Sequence, residues 1–327
     1  MNPFGYSCPA TLDEAIKEQS SNEHATVIAG GTMVVDLLKL NVIAPQSLID
    51  INQLSLKGIA KRGGSIFIGA LVSNSELAHH KLIQDECPVL SEAVLSGASV
   101  QLRNMATVGG NIMQRTRCYY FRDPAFPCNK REPGSGCPAI EGFNRIHAVL
   151  GTSDHCVATH GSDMCVALLA LDAIVLLKGS DGTRKVALED FHLVPGATPQ
   201  NETVLKPGEI ITEIEIPERP FAKRSHYLKV RDRASYAFSL CSVAVALEMS
   251  GGKIQSCRLA LGGVATKPWR VTSAEKILTG SKPSQSLFEK AAQIALEGAK
   301  PLKNNRFKIE LTKRTIVRAL NNVGAST

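Results

Sequence analysis

VIAGGTMVVDLLKL, Val27 to Leu40, reads as a short apolar strand, then the turn Gly30-Gly31-Thr32, then a helix with Met33, Val34, Leu37 and Leu38 on one face. Glycines at a strand-to-helix turn let backbone N–H groups approach a phosphate, and the start of the helix adds a favourable dipole. A second glycine segment, QLRNMATVGGNIMQ (Gln101 to Gln114), carries Thr107-Val108-Gly109-Gly110-Asn111 with small or hydroxyl side chains. One Gly-Gly pair alone is more often a plain turn, so the case rests on the two segments acting as a clamp on a diphosphate. Neither fits GxGxxG, and no strand-linked acidic residue is read at the Rossmann spacing, so an ordinary nicotinamide-binding fold is disfavoured.

Between these segments and the middle of the chain stand four cysteines: Cys118 in TRCYYFRDP, Cys128 in PCNKR, Cys137 in PGSGC and Cys156 in DHCVATH. Pro124, Pro127, Pro133, Gly134 and Gly136 make the stretch irregular enough for the thiols to converge. Four thiolates suit an iron–sulfur cluster. Arg115, Arg117, Arg122, Lys130 and Arg131 outnumber Asp123 and Glu132 there, a balance that fits an anionic guest. The spacing alone leaves other readings open. A zinc knot of four thiolates, or of three with His147, His155 or His160, is one, although the close CxxC pairs zinc favours are absent. Two disulfides are another, set against nine scattered cysteines in all. Cys165, in an apolar run, reads as a small core residue rather than a fifth ligand.

AGGTMVVDLLKL, IGALVSNSELA (Ile68 to Ala78), ATVGGNI (Ala106 to Ile112) and GSDMCVALLALDA (Gly161 to Ala173) resemble, in that order, the FAD-binding subunits of the xanthine dehydrogenase and carbon monoxide dehydrogenase superfamily. The resemblance continues through GEIITEIEIPE, YLKVRDRASYAFSLCSVAVAL and LALGGVATKPWR, and so covers nearly the whole chain. Most members lack the cysteine-rich insertion. Those with it include the flavoprotein subunits of 4-hydroxybenzoyl-CoA reductases and of periplasmic aldehyde oxidoreductases, and the insertion here is more similar to the second.

The resemblance implies an α+β architecture: a two-part FAD-binding domain like that of vanillyl-alcohol oxidases, then a C-terminal antiparallel sheet with helices of the CO dehydrogenase flavoprotein type. It implies that Ile28, Ala29, Gly30, Gly31, Thr32, Met33 and Val34, with Thr107, Val108, Gly109, Gly110 and Asn111, hold the FAD diphosphate. It implies that Asp163 faces the ribityl or ribose side and that Ile211 and Lys229 lie near the isoalloxazine. Read from the residues alone, Asp163 is a helix N-cap and Lys229 a solvated strand lysine. The resemblance also implies that Cys118, Cys128, Cys137 and Cys156 ligate a [4Fe-4S] cluster. Its partners would be a molybdopterin-binding large subunit and a [2Fe-2S] small subunit, with an external electron acceptor beyond them.

The residues add the mechanism by subtraction. With no HExxH and no defensible Ser/His/Asp set, substrate is not expected to be transformed in this chain, which instead passes electrons. Rival readings are a subunit of the 4-hydroxybenzoyl-CoA reductase type, a free-standing flavin oxidase and a structural subunit with a zinc knot. The 327 residues, 44% of them hydrophobic, suffice for two or three cores. Expected units are residues 1–55, 56–220 with the insertion at about 115–160, and 224–327, with Pro217 to His226 as the linker. The first carries a helix near Thr11 to Glu18 capped by Thr11 and Asp13. Net charge is +7 but dispersed, and 5% aromatic content argues against nucleic acid. The longest apolar run, Met164 to Leu177, is interrupted by Asp172 and too short to span a membrane. MNPFGYSCPATLDEA lacks the regions of a signal peptide, so the chain is expected in the cytoplasm, or in the periplasm by export with a partner, as the resemblance favours.

Overall fold

The structure is a computed structural model and describes residues 1–324. Its architecture is α+β, built on three sheets. The first is a small parallel sheet in which Ser47–Asp50 lies between Gly5–Ser7 and Ala25–Ile28. The helix Leu12–Ser21 covers it, burying Ala15 and Ile16 against Ile49, Ile51 and Leu54. Thr11 caps that helix, accepting from the Glu14 N–H at 3.2 Å, while Glu14 reaches back to the Thr11 N–H at 3.1 Å. Asp13 takes no part in the cap; it pairs with Lys178 at 2.6 Å.

The second sheet is antiparallel, in the order Ile59–Arg62, Ser65–Gly69, Ile210–Ile216, Ile174–Gly179, Gly182–Ala187. Its inner face packs on helices Asn74–His79, Pro88–Ser96 and Asp163–Ala170, joining Ile68, Leu77, Leu90, Leu168, Val175 and Ile214 in one core. All eight residues of Asp163–Ala170 are buried. Hydrophobic on every side, this helix is a core element packed on both sheets' neighbours. Among the described residues no helix is long and apolar enough to cross a membrane.

The third sheet runs Trp269–Arg270, Lys253–Gly262, Cys241–Ser250, Ser225–Val230, all antiparallel. Helices Thr272–Leu278, Gln285–Ala295 and Phe307–Gly324 cover one face, with Val243, Leu259, Phe288, Ile316 and Leu320 in the core between. Pro217 to His226 departs from a loose linker. Phe221 and Ala222 are buried, Ser225 already begins a strand, and the charges are anchored: Arg219 to Asp172, Lys223 to Glu86, Arg224 to the Val323 and Gly324 carbonyls.

Candidate cofactor sites

The first glycine turn follows the strand Ala25–Ile28 and leads into the helix Val34–Lys39. Gly31 has φ 72°, a left-handed conformation that disfavours a side chain. Gly30 serves a different purpose. A Cβ there would fall 1.7 Å from the Met105 carbonyl oxygen, so only glycine lets this turn touch the backbone that leads into the second segment. The half-buried N–H groups of Gly30, Gly31, Thr32 and Met33 have no protein acceptor among the described residues. That is the chemistry of an anion cradle.

The second segment differs from the loop its sequence suggested. Val108–Ile112 is a helical turn capped by Thr107, whose Oγ1 accepts from the Gly110 N–H at 3.2 Å. The Val108 and Gly109 N–H groups donate to the Val72 and Ala70 carbonyls at 2.9 and 2.8 Å. Its donors are therefore occupied, and what it offers is room. Gly109 is buried, with Ala70 3.1 Å from its notional Cβ, whereas Gly110 is exposed and would meet only Thr107 Oγ1, at 3.0 Å. Asn111 Oδ1 accepts from Ser162 Oγ at 2.5 Å, tying this turn to the next site residue.

Ser162, not Asp163, caps the helix Asp163–Ala170. Asp163 is 8% exposed and accepts from Tyr227 Oη at 2.6 Å and Lys229 Nζ at 2.7 Å. Lys229 is therefore not solvated; it is the buried partner of Asp163 and also donates to the Ser96 carbonyl. The sequence reading placed these two at different parts of a cofactor, and the structure brings them into one ion pair. Tyr227, which that reading passed over, is held well above its ordinary pKa by burial and by Asp163. Ile211 sits in the second sheet opposite Leu177, in the core.

Beside the Asn111 turn lies a polar pocket lined by Gln114, Thr116, His160, His192 and Thr203 among others. His160 and His192 meet edge to face at 4.6 Å, and burial lowers the pKa of both. His192 Nε2 donates to the Ile112 carbonyl and His160 Nδ1 accepts from the Ser162 N–H, which leaves one nitrogen of each ring without a partner. Cys165, a core residue as expected, is within 4.8 Å of both.

The four insertion cysteines converge. Cys118, Cys128, Cys137 and Cys156 line one pocket with Phe121, Pro127, Pro138, Ala139 and Ala158, and all nine cysteines are free thiols, against the disulfide reading. Burial pushes Cys118 up to about 12, Cys156 up to about 11 and Cys137 up as well. Backbone N–H groups oppose it: those of Tyr120 and Phe121 at Cys118, Val157, Ala139 and Ile140 at Cys137, and Ala158 at Cys156. Donors aimed at buried sulfurs are the surroundings of metal-bound thiolates. The only His, Cys, Asp or Glu triad with ligand atoms within 4.8 Å of one another, among the described residues, is His160, Cys165 and His192. No three of the four pocket sulfurs therefore lie within 4.8 Å of one another, whereas a tetrahedral zinc, with bonds of about 2.3 Å, would hold all its sulfurs about 3.8 Å apart.

Asn129 holds the insertion together: its side chain accepts from the Gly136 N–H at 2.8 Å and donates to the His155 carbonyl at 2.9 Å. No sequence motif announces it. The basic residues, read as complements to an anionic guest, have protein partners. Arg117 and Arg122 share Asp36, Arg115 and Lys130 share Glu202, and Arg131 donates to the Tyr120, Phe121 and Phe126 carbonyls. Both carboxylates come from outside the segment, so a local charge count misses them. Asp36 belongs to the helix after the first glycine turn, and Leu37 of that helix shares an apolar cluster with Cys118, Phe121 and Cys156, with Met33 packed against it. The cysteine pocket and the anion cradle are neighbours.

Comparison with known proteins shows the family and the fold. Residues 2–219 match the FAD binding domain in molybdopterin dehydrogenase, and residues 226–323 match the CO dehydrogenase flavoprotein C-terminal domain. The aldehyde oxidoreductase FAD-binding subunit PaoB of Escherichia coli is 47% identical over 98% of both chains. The glyceraldehyde dehydrogenase medium chain of Sulfolobus acidocaldarius is 28% identical, again over 98% of each. Among solved structures, carbon monoxide dehydrogenase from Hydrogenophaga pseudoflava superposes with a TM-score of 0.78 at 26% identity, covering 99% of both chains.

Proposed function

We propose that this chain, which belongs to the FAD-binding subunits of the xanthine and CO dehydrogenase family, is the electron-exit subunit of a molybdenum hydroxylase that oxidises aldehydes to carboxylic acids. One observation carries the reading: Leu37, on the helix that follows the anion cradle, shares an apolar cluster with Cys118 and Cys156 of the four-cysteine pocket, and Met33 packs against that cluster. Two redox groups held there would be neighbours. When bound, FAD supplies chemistry in one- or two-electron steps and a [4Fe-4S] cluster supplies a one-electron couple.

The chain's own residues have defined tasks in this reading. The free N–H groups of Gly30 to Met33 receive the diphosphate, and exposed Gly110 leaves it room beside the Thr107 hydroxyl. Asn111, through Ser162, fixes the second turn relative to Asp163. Asp163 keeps carboxylate lone pairs for the ribityl side, since Tyr227 and Lys229 do not exhaust them. Ile211 and Lys229 bound the isoalloxazine end. Cys118, Cys128, Cys137 and Cys156 hold the cluster, and their backbone N–H donors favour the thiolate form.

Substrate is oxidised in a partner, a molybdopterin-binding large subunit, and a [2Fe-2S] small subunit relays electrons to this chain and on to an external acceptor. The name of the PaoB relative supports the aldehyde as substrate class. Purified with its partners, the chain should contain FAD, with four iron and four acid-labile sulfide per complex beyond those of the [2Fe-2S] partner. Cys128→Ser should abolish the cluster's paramagnetic signal, because a neutral hydroxyl replaces an anionic ligand. Zinc in place of the additional iron and sulfide, or a [4Fe-4S] signal unchanged in all four single Cys→Ser variants, would refute the assignment.

A further inference from the structure

We propose that His147 is a positioning residue that raises the reduction potential of the cluster by donating its Nε2–H to the sulfur of Cys118, an inference that rests on the [4Fe-4S] reading above. His147 Nε2 lies 3.1 Å from Cys118 Sγ, and the residue is 1% exposed. A sulfur bound to iron is a thiolate and an acceptor only, so the imidazole nitrogen that faces it carries the proton. The other ring nitrogen, Nδ1, is buried without a partner. The Asn144 carbonyl lies near the ring without a well-formed hydrogen bond to it, so the contact with sulfur is the ring's one short polar contact.

The separation also argues against His147 as a ligand. On a tetrahedral zinc, bonds of about 2.0 and 2.3 Å would put nitrogen and sulfur roughly 3.6 Å apart, and the observed contact is closer, at hydrogen-bond distance. The histidine does not owe its position to the insertion alone. Its carbonyl accepts from Lys308 Nζ at 3.0 Å and Asn305 Nδ2 at 3.3 Å, and both donors are fully buried residues at the start of the C-terminal helix. The Ala148 and Ile146 carbonyls are held by the same two side chains. The C-terminal sheet-and-helix unit therefore reaches the cluster pocket through a clamped backbone and one imidazole.

A donor to a cluster sulfur stabilises the form with more negative charge, so it favours reduction. The neighbouring backbone donors act in the same sense but cannot be removed by substitution. His147 can. In the holoprotein purified with its partners, redox titration followed by electron paramagnetic resonance should show the cluster of His147→Leu harder to reduce than in the unsubstituted protein. The ratio of reduced to oxidised cluster at a fixed applied potential should fall about tenfold, which for a one-electron couple is about 59 mV. His147→Gln, which keeps an N–H, should recover part of the shift.

An intact cluster with an unchanged potential in His147→Leu overturns this inference alone. Unsubstituted protein with no iron and sulfide beyond what the [2Fe-2S] partner carries, and with no [4Fe-4S] signal, overturns the cluster assignment and this inference with it. If His147→Leu fails to assemble, the unsubstituted protein decides. Pulsed double-resonance spectra of the reduced cluster should show an exchangeable proton and a weak histidine nitrogen coupling. The absence of that proton, or a nitrogen coupling as strong as that of a metal ligand, overturns the proposal.

Discussion

At Gly30 and Gly110 the same residue type solves two different problems, and substitution should separate them. A side chain at Gly30 collides with the Met105 backbone, which cannot yield without moving the segment that feeds the second turn. Gly30→Val is therefore expected to destabilise the protein by several kcal/mol, on the order of an overpacked core site, and to lose flavin as a consequence. Gly110 is exposed, and its notional Cβ meets only the Thr107 hydroxyl. Gly110→Val should fold with a change in stability of about 1 kcal/mol or less and still lose FAD, because its methyls occupy the room read here as the diphosphate's. Flavin-to-protein ratio measured beside the thermal midpoint distinguishes the two; full flavin in a folded Gly110→Val would refute the placement. Glycine as a residue type was legible in the sequence. Its two reasons were not: that at Gly30 depends on the backbone of Met105, far along the chain, and that at Gly110 on an exposure that only the fold defines.

At the scale of the element, the insertion is a stretch of turns with one short helix, Tyr119–Arg122, and it has little regular hydrogen bonding of its own. The convergence of its cysteines could be read from spacing and turn residues. Its electrostatics could not, since Glu202 and Asp36 lie far away in sequence and neutralise the cations that looked available. Burial pushes Glu202 up, but Arg115 and Lys130 outweigh it and hold its pKa below the ordinary 4.5. With the folded-state pKa the lower one, this tie stabilises the protein above the ordinary glutamate range and is lost as pH falls through the folded value. Glu202→Gln should remove about 1–2 kcal/mol at neutral pH and flatten the acid side of the stability profile. It should also open the insertion to limited proteolysis between residues 117 and 156 before the rest of the chain. Proteolysis at the unsubstituted rate would show that the carboxylate does not secure the segment.

Across the whole molecule, the antiparallel sheet with helices in the last hundred residues could be expected from the resemblance of YLKVRDRASYAFSLCSVAVAL and LALGGVATKPWR to the family. The way the units are locked together could not, because it depends on one residue in an apolar run. Asp172 ends the central helix region with φ 54° and receives Arg270 at 2.9 Å, Arg258 at 3.0 Å and Arg219 at 3.4 Å, from the third sheet and the connecting segment. What reads in sequence as an interruption of a hydrophobic stretch is the carboxylate on which three guanidinium groups meet. Burial pushes Asp172 up, while Arg270 and Arg258 outweigh it and keep its pKa below the ordinary 3.8, so its contribution is present above that range and lost on acidification through the folded value. Asp172→Asn keeps a side chain that tolerates left-handed backbone but removes the charge, leaving partly buried Arg270 with Glu275 as its one carboxylate beside the Leu169 carbonyl. It should cost about 2 kcal/mol at neutral pH, less than a fully buried pair because Asp172 is partly exposed. Asp172→Ala should cost about 1 kcal/mol more, for the strain of a positive φ. Denaturant titration of the three proteins checks the order, and an asparagine variant as stable as the aspartate would mean that the units are held by their apolar contacts and not by this charge cluster.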